Sequence, residues 1–200
     1  IALVERSVVL GMNTHVLIRP RSGDFVYNED EKIQMMEDIV HYQKLGIQGI
    51  VVGALTPQGE LDVSFLRRLR MLTPNIELTF HKAFDDIDNW QKALEELIFM
   101  KFDRILTAGS AGNVFAGKER LRDMIEFASN RIQILPGGGI NTENIGDVIE
   151  FIKPNALHFS GATKQFLGKS KYFNSEVLLV DEEKLKSLIK LSRSWSKPIT

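Results

Sequence analysis

The feature that most limits how this chain can fold is an alternation of short apolar runs and amphipathic stretches. It recurs six times, at intervals of roughly 24 to 34 residues. The runs are Val16–Ile18, Ile50–Val52, Leu78–His81, Arg104–Thr107, Ile132–Leu135 and Ala156–Gly161. They are short, and the second is β-branched and unbroken, as in a strand covered on both faces. Between them lie helical patterns. One is capped by Asn28, carries Glu29, Asp30 and Glu31 in its first turn, and ends at Leu45-Gly46. Others run near residues 62–71, 89–99, 117–128, 142–151 and 181–193.

Strand, helix, parallel strand, repeated, requires a parallel sheet with helical crossovers. Doubly wound sheets and closed barrels both satisfy that order. Even spacing, and glycine or polar residues after every strand instead of at one switch point, favour the barrel. The expected fold is therefore α/β, a TIM-type (β/α)8 barrel. Only six strands are legible where such a barrel has eight. Residues 1–10 already read as an uncapped helix, and the chain opens on Ile1. The expectation is a single domain over 1–200 lacking its first two βα units. Residues 162–180 show no helical period and are expected to form a loop, a lid over the barrel mouth, or a partly ordered strand.

Composition narrows the function classes. A formal net charge of -1 gives no electrostatic reason to expect nucleic acid or an anionic membrane as partner. No apolar run approaches the roughly 20 residues that span a bilayer. The sequence contains no cysteine, which removes disulfides and thiolate chemistry and fits a cytoplasmic setting.

In a parallel barrel the last inward residues of each strand face the mouth. Arg19 and Arg21 share parity after the first strand, and both are candidates to neutralise an anion there. A salt bridge of Arg21 to Asp24 or Asp85 is the competing reading. Thr107 ends another strand. His81, Lys82 and Asp85 place an imidazole, an ammonium and a carboxylate within five residues, a candidate catalytic group with His81 moving a proton. Gly137, Gly138 and Gly139, followed by a predicted helix start, read as a backbone anion cradle, with Ser160 and Gly161 closing the next strand. A tight turn is the alternative. Metal spacing is thin: His81 and His158 are weak candidates, and His15 and His41 read as structural. The six methionines mostly lie on helical faces.

Taken together, Ile18–Tyr27, Val51–Thr56, Leu78–Asp85, Arg104–Thr107, Asn130–Ile132, Pro136–Ile140 and His158–Gly161 closely resemble the CutC family. The resemblance implies a (β/α)8 barrel, a homodimer or larger homo-oligomer, and a role in cytoplasmic copper homeostasis, with copper as the implied ligand. Lys82 stands where an arginine is common in the family, and a strand-end cysteine suggested as a copper ligand is missing here. The residues themselves favour an anion site, and the alternative function is an enzyme acting on a phosphorylated or carboxylated small molecule bound at the barrel mouth.

Overall fold

The structure is a computed structural model that describes residues 1–110, 112–168 and 175–194. Five parallel strands form one sheet: β1 (His15–Leu17), β2 (Gly49–Val52), β3 (Glu77–Phe80), β4 (Arg104–Thr107) and β5 (Gln133–Pro136). Their spatial order is their chain order, β1-β2-β3-β4-β5, with every neighbouring pair parallel. A doubly wound sheet reverses strand order at a switch point. This one never reverses, and it forms an arc of a (β/α)8 barrel.

The helices are α1 (Ala2–Val9), α2 (Glu29–Gln43), α3 (Val63–Leu72), α4 (Trp90–Phe99), α5 (Lys118–Ala128), α6 (Ile145–Ile152) and α7 (Glu182–Ser194). The starts of four are fixed by side-chain caps that satisfy free backbone N–H groups. Asn28 and Glu31 form a reciprocal capping box on α2, Asp62 accepts from Phe65 N–H, Asn89 from Lys92 N–H, and Asp181 from Lys184 N–H at the start of α7.

The core lies between the helices and one face of the sheet. Ile50, Val52, Leu78, Phe80 and Ile105 are fully buried there. They share one apolar cluster with Met35 and Ile39 of α2, Leu66 and Leu69 of α3, Leu94 and Leu97 of α4, and Leu121 of α5. The alternate strand residues point the other way. Leu17, Val51, Thr79, Leu106 and Leu135 line a cavity of about 700 Å³ on the concave face. The period of two along each strand thus separates a packed layer from a ligand-accessible one.

One expectation needs revision. Residues 156–161 do not form a sixth strand; among them only His158 bridges, in parallel fashion, to Gly137, its N–H donating to the Pro136 carbonyl, and Pro154 just upstream has no N–H to extend the ladder. Residues 162–180 include an antiparallel hairpin, β6 (Ala162–Leu167) with β7 (Ser175–Val180), and the intervening 169–174 lie outside the described residues. Of the loop, lid and strand expected there, the described residues show strand.

Candidate functional site

The cavity opens at the C-terminal strand ends, where Arg19, Phe25, His81 and Lys82 meet. His158 also lines it, and Asn13, His15 and Arg104 line its opposite end. Arg19 extends from β1 and its guanidinium lies 4.6 Å from the centre of the Phe25 ring, while donating to the Gly23 carbonyl. It forms no direct ion pair among the described residues, although the Asp24 carboxylate, itself paired with Arg21, feels its charge.

His81 follows β3 and caps the short 3-10 turn Lys82–Asp86. Its Nδ1 accepts the Ala83 N–H at 3.1 Å, the residue is only 5% exposed, and its ring centre lies 4.9 Å from that of Phe25. Burial, reinforced by the Arg19 cation, lowers its pKa to about 4. A ring nitrogen that accepts a hydrogen bond carries no proton, so the neutral ring holds its proton on Nε2. Nε2 is buried and has no partner among the described residues.

Lys82 Nζ lies 3.5 Å from Asp85 Oδ2. Lys82 also lies over Gly138, where a Cβ would come within 3.0 Å of Nζ. Asp85 is spoken for: it accepts from the Thr107 hydroxyl and from Ala108 N–H at 3.0 Å, with its side chain 5% exposed. Burial raises its pKa against the lowering pull of those donors and of Lys82. The carboxylate ties the turn after β3 to the end of β4, and Thr107 spends its own oxygen accepting Gly109 N–H at 2.8 Å. Thr107 is wholly buried.

The remaining predicted residues lie off the cavity wall. Arg21 is held by Glu31 (2.6 Å), Asp24 (2.9 Å) and the Val26 carbonyl (2.8 Å), which is the competing salt-bridge reading, with Asp24 as the partner. Strand parity does not reach it, because β1 ends at Leu17 and the backbone turns over 20–23. Gly137 donates to the Thr107 carbonyl, and a Cβ there would meet Leu106 at 2.6 Å. Gly138 and Gly139 have φ of +119° and +79°, which suits a tight turn. Helix α6 starts only at Ile145, after a turn stabilised by Asn141 and Asn144, so its N-terminus does not directly follow the glycines. Gly161 packs against Leu185, and Ser160 Oγ accepts Ala162 N–H.

Sequence reasoning undervalued the opposite end. His15 Nε2 and Arg104 Nη2 approach one oxygen of Glu77 at 3.2 and 2.7 Å, and Arg104 Nε donates to Gln133 at 2.9 Å. Burial, then the Arg104 cation, lowers the His15 pKa. The signal was the parity of His15 with Leu17 and Arg19, and of Arg104 with Leu106. Phe25, by contrast, is placed by loop geometry, which has no periodic signature.

The sequence profile of the CutC family matches residues 2–163. The chain belongs to the CutC family. A CutC protein of Histophilus somni is 40% identical over 172 residues, covering 86% of this chain and 70% of the relative. One from Glaesserella parasuis is 41% identical over 145 residues, 72% of this chain and 60% of the relative. This CutC chain thus spans between 60% and 70% of the length of those two relatives. The crystal structure of a CutC from Streptococcus agalactiae, provisionally named a copper homeostasis protein, aligns with a TM-score of 0.75 at 31% identity. That alignment covers 78% of this chain and 79% of the other. An aldolase, QR15, aligns at 0.57 with 17% identity over 78% of this chain and 72% of its own, which speaks to the barrel fold alone.

Proposed function

We propose that the cavity of this CutC protein binds a small organic anion at the C-terminal mouth of the barrel. The observation that carries this reading is Arg19, a cation on the cavity wall with no direct carboxylate partner among the described residues. Arg19 is exposed at the mouth with its guanidinium laid on the Phe25 face, so the charge is accessible to an anion and can add charge-assisted hydrogen bonds to it. His81 adds a neutral N–H donor and Lys82 a second, partly neutralised cation. The mouth is rich in groups that stabilise negative charge, while its one carboxylate, Asp85, is committed to structure. An enzyme built on this site would work by stabilising charge that develops on the substrate.

A role in copper homeostasis is the second reading, favoured by the family and by three histidines, His15, His81 and His158, that line the cavity. Direct coordination by these residues fits poorly. His81 would have to move the Nε2 proton to Nδ1, which already accepts Ala83 N–H. His15 is engaged with Glu77, the chain has no cysteine, and among the described residues no three His, Asp or Glu side chains are grouped to hold an ion. A cytoplasmic setting belongs to the same proposal. Among the described residues no helix is long and apolar enough to cross a membrane.

Titration with acetate and inorganic phosphate, in wild type and Arg19→Gln, tests the anion reading. Binding weakened at least tenfold by the substitution supports it, and absence of binding by wild type overturns it. Copper(I) titration against a competing chelator tests the second. Affinity no greater than that of a histidine-poor control protein rejects direct binding.

A further inference from the structure

Resting on the anion site at Arg19, we infer that its ligand is a 2-oxo carboxylate with an apolar side chain, whose carbonyl oxygen takes the Nε2–H of His81. The ring orientation is fixed independently of any ligand. Nδ1 accepts Ala83 N–H at 3.1 Å, and Gly53 leaves the space in which the ring lies. That leaves Nε2–H as a donor, 95% of the residue being buried and the atom lacking any partner among the described residues. A buried donor without an acceptor is costly, so a ligand that brings an acceptor is selected over one that does not.

Charge decides the class. Arg19 is the cavity cation without a direct carboxylate partner, Lys82 is held by Asp85, Arg104 is matched by Glu77, and His81 is neutral. The mouth therefore offers one cation without a direct ion pair among the described residues, its charge partly offset by Asp24, which suits a monoanion better than a phosphate dianion. Arg19 and His81 both lie against Phe25, at 4.6 and 4.9 Å, so adjacent carboxylate and carbonyl groups of one small molecule can address both. Phe25 covers the imidazole in this conformation and sits on the same β1–α2 loop as Arg19, so ligand entry displaces that ring. Beyond the polar end, Leu17, Val51, Leu106 and Leu135 form an apolar wall for the side chain.

The test compares 4-methyl-2-oxopentanoate with 4-methylpentanoate, which lacks only the carbonyl. Wild type is expected to bind the oxo acid about tenfold more tightly, and His81→Phe to bind both alike. Nitrogen-15 spectra of the wild-type histidines give a readout that does not depend on the variant folding. The His81 Nε2-bound proton is expected to move downfield with the oxo acid and not with its analogue. Equal affinity for the two acids, or an unmoved proton, overturns this inference and leaves the anion site standing. Failure of wild type to bind either acid, acetate or phosphate overturns the anion site, and this inference with it.

Discussion

A Cβ placed on Gly53 would lie 2.5 Å from both Cε1 and Nδ1 of His81, so the imidazole occupies the side-chain space that β2 leaves empty. The same strand repeats the device at its other end, where a Cβ on Gly49 would come 2.2 Å from Nδ1 of His15. His15 of β1 folds over Gly49 of β2, His81 just after β3 folds over Gly53 just after β2, and both rings line the one cavity. Gly53 has no unusual backbone angle, so its role is space alone.

Replacing Gly53 by alanine should therefore act through His81. The ring cannot yield without breaking its bond from Ala83 N–H, and overpacking of this kind typically costs about 1–3 kcal/mol. Urea denaturation should show that loss, with a parallel loss of anion binding. Unchanged stability and unchanged protection of the Ala83 amide would contradict the packing described.

The histidines also set a pH dependence. His81 titrates at about 4 in the folded protein and near 6.5 when unfolded. Between those values the unfolded chain binds a proton that the folded chain refuses, so stability rises with pH across the window. The contribution is complete above about pH 6.5 and disappears as pH falls towards 4. His15 and His158 are lowered in the same direction. Asp85, raised by burial, runs the opposite way, which makes the difference between wild type and His81→Phe the informative quantity. Urea midpoints from pH 7 to pH 4.5 should fall less steeply in the variant, by up to roughly 1.4 kcal/mol for each pH unit inside the window.

Much of this arrangement was legible before any coordinates. Periodicity placed β1 to β5 and the helices, because a strand packed between helices and cavity must alternate its burial. It failed for residues 156–161 and left loop, lid and strand all open for the hairpin segment, because pairing there depends on which backbone is left to pair and not on side-chain pattern. Arg19, His81 and Lys82 were found because they end strands. Arg21 and Thr107 were placed beside them by the same rule, yet Arg21 lies past the turn and Thr107 is buried under Asp85. Gly137–Gly139 carried two readings in the sequence, a turn and an anion cradle; the structure shows a turn with positive φ at Gly138 and Gly139 and no helix start directly after it.

Asp85 should behave as a bracket. Its substitution by alanine leaves the Thr107 hydroxyl and Ala108 N–H without their acceptor, at about 1–3 kcal/mol for each buried group. Thermal unfolding of Asp85→Ala should show one of the larger losses of any single substitution at the mouth. Asp85→Asn keeps an acceptor oxygen and should lose less. A variant that unfolds like wild type would mean that the carboxylate is free for chemistry after all.

Arg19 and Arg21, two residues apart, should separate binding from structure. Arg21 is committed to Glu31, Asp24 and the Val26 carbonyl, and so fastens the loop that carries Phe25 to the start of α2. Arg19 is held by no direct ion pair among the described residues, only by the Gly23 carbonyl, the Phe25 face and the Tyr27 side chain. Arg19→Ala should cost at least tenfold in anion affinity, about 1.4 kcal/mol, while leaving the melting temperature close to wild type. Arg21→Ala should lower the melting temperature and speed hydrogen exchange at the Val26 and Asn28 amides, because the loop loses its tie to Glu31. Its anion affinity should fall less, and only as far as the freed loop lets Phe25 and Arg19 drift. The reverse pattern, with Arg21 controlling affinity and Arg19 controlling melting, would move the anion site out of the cavity and onto the loop.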